Sequence, residues 1–190
     1  MTSTRPIEKT LPLKELVFWD ENPRIMDWLD PVSMKDGHIT NKQILDYFIS
    51  GEGKKKFSIE ELARGLKEQP DYESLLVNDK GAGEYIVFEG NRRLAALNLI
   101  VSNLIKQDRT PPDHVLKVSC RVYSNLSDEE MFHKVELIHG VGQKQRHSAF
   151  CRALTYLRRV RKIRERQTEL SENEAIEFIA KDQIQKKKVI

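Results

Sequence analysis

The chain has 190 residues, enough for one good-sized domain and a smaller appendage. Charged residues make up 32% and apolar residues 39%, which suits a modest core in water, and no run of about 18 apolar residues is present to span a bilayer. The net charge of +3 hides an asymmetry: residues 140–166 carry nine Lys/Arg and one acid, so this block stands at +8 and the remainder at −5.

Residues 1–9 read as a loose arm with no signal-peptide pattern. Residues 11–18 read as one short strand, with Pro12 pushing it to a sheet edge. Asp20-Glu21-Asn22-Pro23-Arg24 is a turn sequence, bracketed by Trp19 and Trp28 as packing residues. Residues 41–49 have a helical period with Ile44, Leu45 and Phe48 inward, and Gly51 is a natural stop. Gly51-Glu52-Gly53-Lys54-Lys55-Lys56 lacks the GxxxxGK[ST] spacing of a phosphate loop and reads as an exposed loop. Ser58-Ile59-Glu60-Glu61 is a capping box for a helix that turns Leu62, Ala63 and Leu66 inward and stops at Pro70.

Leu75-Leu76-Val77 predicts a strand hairpinned onto residues 85–88 across a turn rich in Asn, Asp and Gly. After a central helix, Arg109-Thr110-Pro111-Pro112 breaks the chain and residues 115–123 alternate as a strand. Ser127-Asp128-Glu129-Glu130 caps a helix with Met131, Val135 and Ile138 inward. The sum is a small mixed α/β domain over residues 1–139. Cys120 and Cys151 make neither a CxxC nor a metal spacing and read as ordinary buried thiols of a cytoplasmic protein.

The most informative stretch is Glu84-Tyr85-Ile86-Val87-Phe88-Glu89-Gly90-Asn91-Arg92-Arg93-Leu94-Ala95-Ala96-Leu97. It reads as strand, polar hinge, then helix. Gly90 at the junction allows close backbone approach, and the helix N-terminus beyond it offers N–H groups and a positive dipole end. Adjacent arginines are disfavoured there by the dipole. Two explanations are open on local grounds: an anion such as phosphate, or pairing of Arg92 and Arg93 with Glu89 and another acid.

The basic block 140–190 reads as helical and forms the second part of the chain. Phe150, Ala153, Leu154 and Leu157 predict one apolar face, and Arg152, Arg159 and Arg166, seven apart, a basic stripe on another. The block lacks the i,i+4 acids of a merely solvated helix, and nucleic acid is the commonest polyanion to match it. Ser171-Glu172-Asn173-Glu174 is a further capping box. Residues 182–190 look like the start of another helix, so the segment reads as a helix-turn-helix that breaks off at Ile190.

Gly90-Asn91-Arg92-Arg93-Leu94-Ala95-Ala96 resembles the GERRxRA box of the ParB/sulfiredoxin superfamily. Asn22-Pro23-Arg24 after a Leu-Pro-Leu strand is similar to that family's first box. Ile59-Glu60-Glu61-Leu62-Ala63 ahead of a strand ending at Val77 resembles its helix-then-strand segment, and residues 136–146 lie where it places an ENxQR motif. The resemblance covers about residues 10–150. It implies a compact α/β domain that binds a nucleoside triphosphate, CTP with magnesium in ParB proteins, and closes as a homodimeric clamp on DNA. Carried over, Arg24, Glu89, Gly90, Asn91, Arg92 and Arg93 would hold the nucleotide and Glu136 the metal. Lys144, Arg146, Arg152, Arg159 and Arg166 would contact DNA, in a plasmid, prophage or mobile-island setting.

The boxes also depart from the pattern. Asn91 replaces an acid, Ala95 an arginine, and Leu137 an asparagine, which removes polar groups that hydrolysis would use. Sulfiredoxins carry a reactive cysteine where this chain has Asn91. Two enzymatic readings stay open beside nucleotide binding: a ParB-like nuclease with Asp20, Glu21, Glu89 and Glu136 converging on a metal, and a small-molecule kinase with Glu21 as catalytic acid.

Overall fold

The computed structural model describes residues 5–29, 39–68, 72–81, 83–141, 149–166, 171–177 and 179, with backbone alone for 139–141, 149–152 and 166. These residues fall into two compact units, one within Met1–Asn22 and His38–Gln145, the other within Pro23–Gly37 and Arg146–Ile190.

In the first unit, β1 (Ile7–Pro12), β2 (Leu16–Phe18), β3 (Leu75–Asp79), β4 (Tyr85–Glu89) and β5 (Lys117–Ser124) form a mixed sheet in the order β1-β5-β3-β4-β2. The β3–β4 hairpin is antiparallel, as the two apolar runs and their turn predict. β5 inserts beside β3 in parallel and takes β1 as its antiparallel outer neighbour. The expected single strand over residues 11–18 is two strands. A 3-10 turn at Leu13–Glu15 separates them, and they lie at opposite edges, β1 on β5 and β2 parallel to β4. Pro12 does sit on an edge strand, where its missing N–H costs no ladder bond. Residues 7–9, expected in a loose arm, belong to β1.

Helices follow in chain order: α1 (Asn41–Ile49), α2 (Gly51–Phe57), α3 (Ile59–Glu68), α4 (Asn91–Ile105), the short α5 (Asp113–Leu116) and α6 (Asp128–Val141). Alternation along the strands sends side chains to both faces. Leu75, Val77 and Val87 are fully buried, and α4, which packs on β2 and β4, brings Leu94, Ala95, Leu97 and Ile100 inward. Leu76, Ile86 and Phe88 serve the core under α6, with Trp19, Leu126, Met131, Phe132 and Val135. The Trp19 and Phe132 rings pack in a tilted arrangement with centroids 4.6 Å apart.

The capping serine before α6 behaves as expected: the Glu130 N–H donates to Ser127 Oγ at 3.2 Å and the Ser127 N–H to Glu130 Oε2 at 2.9 Å. Two other local expectations fail. Residues 51–57 are helical, because Gly51 at φ 52 starts a new turn rather than ending the last one and Phe57 buries itself against Phe48 at 5.0 Å. Ser58 stands at φ 50, ψ 44 as the left-handed C-cap of α2, not in the extended geometry of a capping-box serine.

The second unit holds α7 (Ala149–Arg166), the 3-10 turn Pro23–Ile25 packed against it, and a helical stretch over residues 172–177. Its core joins Val160, Ala175 and Ile179 with Tyr156 and Ile163. The Ser171 capping box is formed. Of the apolar face expected on α7, the Phe150 side chain lies outside the described residues, Leu154 is half-buried and the other two residues face solvent. Ala153 is exposed and Leu157 is 45% exposed, whereas Thr155, Arg159 and Val160 are buried. Tertiary partners choose the inward face here, and an arginine stem tolerates burial better than its charge suggests. Residues 182–190 lie outside the described residues.

Candidate functional site

β4 delivers the chain to the box. Its last residue, Glu89, is half-buried and opposite Leu76 of β3. Gly90 turns the chain at φ 98, ψ 16 and opens α4 with no side-chain capping bond. That conformation favours glycine, and a Cβ there would run into the Leu75 side chain. The turn and Leu75 account for Gly90 without a ligand. The first helical turn closes from the Leu94 N–H to Gly90 O at 3.0 Å, so the N–H groups of Asn91, Arg92 and Arg93 precede the intrahelical ladder. Asn91 is only 5% exposed, and its Oδ1 is buried with no hydrogen-bond partner among the described residues.

The two arginines diverge. Arg92 Nε donates to Phe57 O at 3.0 Å, at the end of α2, and its side chain lines a cleft of about 360 Å³. Ser58, Glu61, Leu62, Gly65 and Leu66 form one side of that cleft along α3, and Tyr72 contributes an aromatic wall. The Tyr72 hydroxyl donates to His114 O at 3.3 Å, and burial raises its pKa. Arg93 turns the other way: its Nη1 donates to Glu73 O, and its Nη2 lies 3.6 Å from the Glu73 carboxylate. The ion-pair explanation thus holds for Arg93, through an acid twenty residues upstream that local spacing did not single out.

Arg92 is held under electrostatic stress. Burial lowers its pKa, the neighbouring Arg93 lowers it further, and Glu61 partly opposes them. The positive end of α4 acts in the same direction as Arg93.

The remaining expected site residues are distributed differently. Arg24 is half-buried on the Pro23–Ile25 turn of the second unit. Glu136 is exposed on α6. No three His, Cys, Asp or Glu side chains among the described residues are grouped to hold a metal ion. Asp20, Glu21, Glu89 and Glu136 form no such group among the described residues. The reason is tertiary: Glu21 is buried at 3% exposure while Asp20 and Glu136 face solvent. Arg159 is buried at 8% exposure and is not on a solvent-facing stripe. Arg152 and Arg166 lie on the backbone of α7, and Lys144 and Arg146 lie outside the described residues.

Sequence reasoning missed the cleft itself. Tyr72 and Glu61 carry no local signal of a site. Gly65 does: a glycine within a helical period is a breaker that requires a reason.

No protein-family model and no curated protein matches the chain. Among solved structures, it is similar to the C-terminally truncated chromosome-partitioning protein ParB from Caulobacter crescentus complexed with CTP-gamma-S, at 19% identity and a TM-score of 0.41, over 90% of this chain and 69% of that one. It is also similar to a Pnob8-like ParB-N domain at 16% identity and a TM-score of 0.44, over 88% of this chain and 50% of that one. Both are ParB proteins, the family that the sequence boxes resemble. Likenesses of this size assign neither ligand nor site, and the chemistry of the cleft is read from this chain's own residues.

Proposed function

We propose that this chain is a ParB-like protein that grips the phosphates of a nucleoside triphosphate with the head of α4 and contacts DNA through its basic helical segment. The observation that carries the nucleotide reading is Arg92 at the positive end of α4, half-buried beside an open cleft, while Arg93 is paired with Glu73. The Arg92 cation at that end is opposed by the helix dipole and by its neighbour Arg93. An anion offsets this, and the N–H groups of the first turn add donors. Bound magnesium would travel on the nucleotide's own phosphates and neutralise part of their charge, with Glu136 as the acid the family resemblance offers it. The residues that hydrolysis would use are replaced at Asn91, Ala95 and Leu137, so binding rather than turnover is the activity proposed.

Titration calorimetry with magnesium and each of the four ribonucleoside triphosphates tests this reading. CTP comes first, because the Caulobacter ParB was solved with CTP-gamma-S. We expect one triphosphate to bind, and Arg92→Ala to weaken it at least about tenfold, the scale of one charge-assisted hydrogen bond. Arg92→Lys should recover part of that loss. Absence of binding by the wild type, or equal binding by Arg92→Ala, overturns the proposal.

The DNA reading rests on the +8 charge of residues 140–166 and on α7, where Arg161 and Arg164 are exposed. The resemblance of the boxes further supports a homodimer, which sedimentation with and without nucleotide would reveal.

A further inference from the structure

Arg93 is held in two ways that differ in strength. Its Nη1 donates to the Glu73 carbonyl, which ties α4 to the segment leading into β3. The Glu73 carboxylate, by contrast, lies 3.6 Å from Nη2, beyond the range of a charge-assisted hydrogen bond. It therefore adds charge without a close contact. The Glu73 side chain is 63% exposed and that of Arg93 only 15%, so the cation is fixed while the anion borders water. An exposed, loosely made pair of this kind contributes little to stability.

The pair stands beside the Arg92 cleft. A Cβ on Gly90 would come within 3.4 Å of Arg93 Nη2, so the guanidinium folds back over the turn that opens α4. Tyr72, adjacent to Glu73 in the chain, lines the cleft together with Arg92. The Arg93 charge reaches both lining groups: burial raises the Tyr72 phenol and Arg93 opposes it, while burial lowers Arg92 and Arg93 adds to it. Glu73 has a second cation near it. Arg121 of β5, held up first by its 2.8 Å bond to Glu8, also feels the Glu73 charge. A carboxylate that leaves Arg93 thus keeps a positive neighbour.

We infer that Glu73 is a displaceable counter-ion of the Arg92 cleft, its carboxylate occupying Arg93 until a phosphate group of the ligand takes its place. This rests on the phosphate reading of Arg92 and adds regulation to that site. A polyphosphate that bonds the guanidinium closely out-competes a carboxylate at 3.6 Å. A lone carboxylate anion gains nothing over the one already present. Affinity is thereby held below what the two arginines alone would give.

The test is a double-mutant cycle on the full chain with magnesium, read by calorimetry. The probes are inorganic tripolyphosphate and the nucleoside triphosphate that binds the wild type most tightly. Glu73→Gln keeps the carbonyl and the side-chain size but removes the charge, and Arg93→Gln keeps a donor for that carbonyl. Urea melts check that each variant is folded. Glu73→Gln should bind both probes several-fold to about tenfold tighter than the wild type. In the Arg93→Gln background the same change should give no gain, because the carboxylate then has no cation to release. Unchanged or weaker binding by Glu73→Gln, with wild-type binding still dependent on Arg92, overturns this inference alone. A gain that persists in the Arg93→Gln background also overturns it, since the effect is then only the loss of a nearby negative charge. Failure of the wild type and Glu73→Gln alike to bind either probe removes the phosphate reading and this inference together.

Discussion

Cys120 shows how burial sets the chemistry of a single group. It is fully buried on β5, and its thiol is pushed up to about 12, first by desolvation and then by Glu8. An acid whose folded pKa is raised has its ionised form disfavoured by folding. Stability is therefore intact below the unfolded thiol pKa and declines as pH rises from about 9 towards 12, by about 1.4 kcal/mol per unit at most. In the native protein at about pH 8, Cys120 should resist iodoacetamide, read by peptide mass mapping, and should label once urea unfolds the chain. Urea melts at about pH 8 and about pH 10 should show a larger loss for the wild type than for Cys120→Ala; equal losses would contradict this account. Asn78 is the polar counterpart of this buried thiol. It is fully buried yet satisfied, accepting from the Leu126 N–H and donating to Leu126 O, both at 2.9 Å. This pair ties the end of β3 to the entry of α6 in the manner of one extra ladder rung.

At the scale of elements, the caps at Ser127 and Ser171 were readable, the one at Ser58 was not, and boundaries between neighbouring elements were less so. The box at Ser127 was evident from four residues because both of its hydrogen bonds are local. Ser127→Ala should cost about 1 kcal/mol in denaturant unfolding, with the loss falling on the α6 side of the sheet. A loss below a few tenths would mean that water replaces the cap. The helix at α2 was missed because glycine and lysine carry weak helical signals, while the deciding contact, Phe57 on Phe48, joins two separate elements. The division of residues 11–18 into β1 and β2 was missed for a related reason. An apolar run shows that a strand exists, whereas its sheet neighbour depends on where β4 and β5 lie.

For the whole molecule, charge asymmetry is the property that reaches furthest. Arg161 and Arg164 present the basic block to solvent, while Arg159 is withdrawn. Replacing Arg161 and Arg164 by Gln should weaken DNA binding equally across sequences. It should also flatten the log–log salt dependence by about 0.9 for each phosphate that is no longer neutralised. An unchanged slope in filter-binding or anisotropy titrations would remove α7 from the DNA interface. The candidate site was legible only in part. The junction Glu89-Gly90-Asn91-Arg92-Arg93 was found from the sequence because strand, glycine turn and helix start are contiguous there. The cleft was not, because its walls come from α3 and Tyr72, which local spacing does not connect to Arg92.

By itself, the sequence determined the mixed α/β class, the β3–β4 hairpin, the helix opening at Gly90, the caps at Ser127 and Ser171, and the concentration of positive charge in residues 140–166. Each of these is encoded in residues a few positions apart, through side-chain period, turn chemistry or simple count. Only the tertiary structure decided the strand order, the burial of Arg159, and the partition of Arg92 to the cleft and Arg93 to Glu73. Those outcomes depend on which distant surfaces meet, and two adjacent arginines with the same local signal acquire different roles because different neighbours reach them.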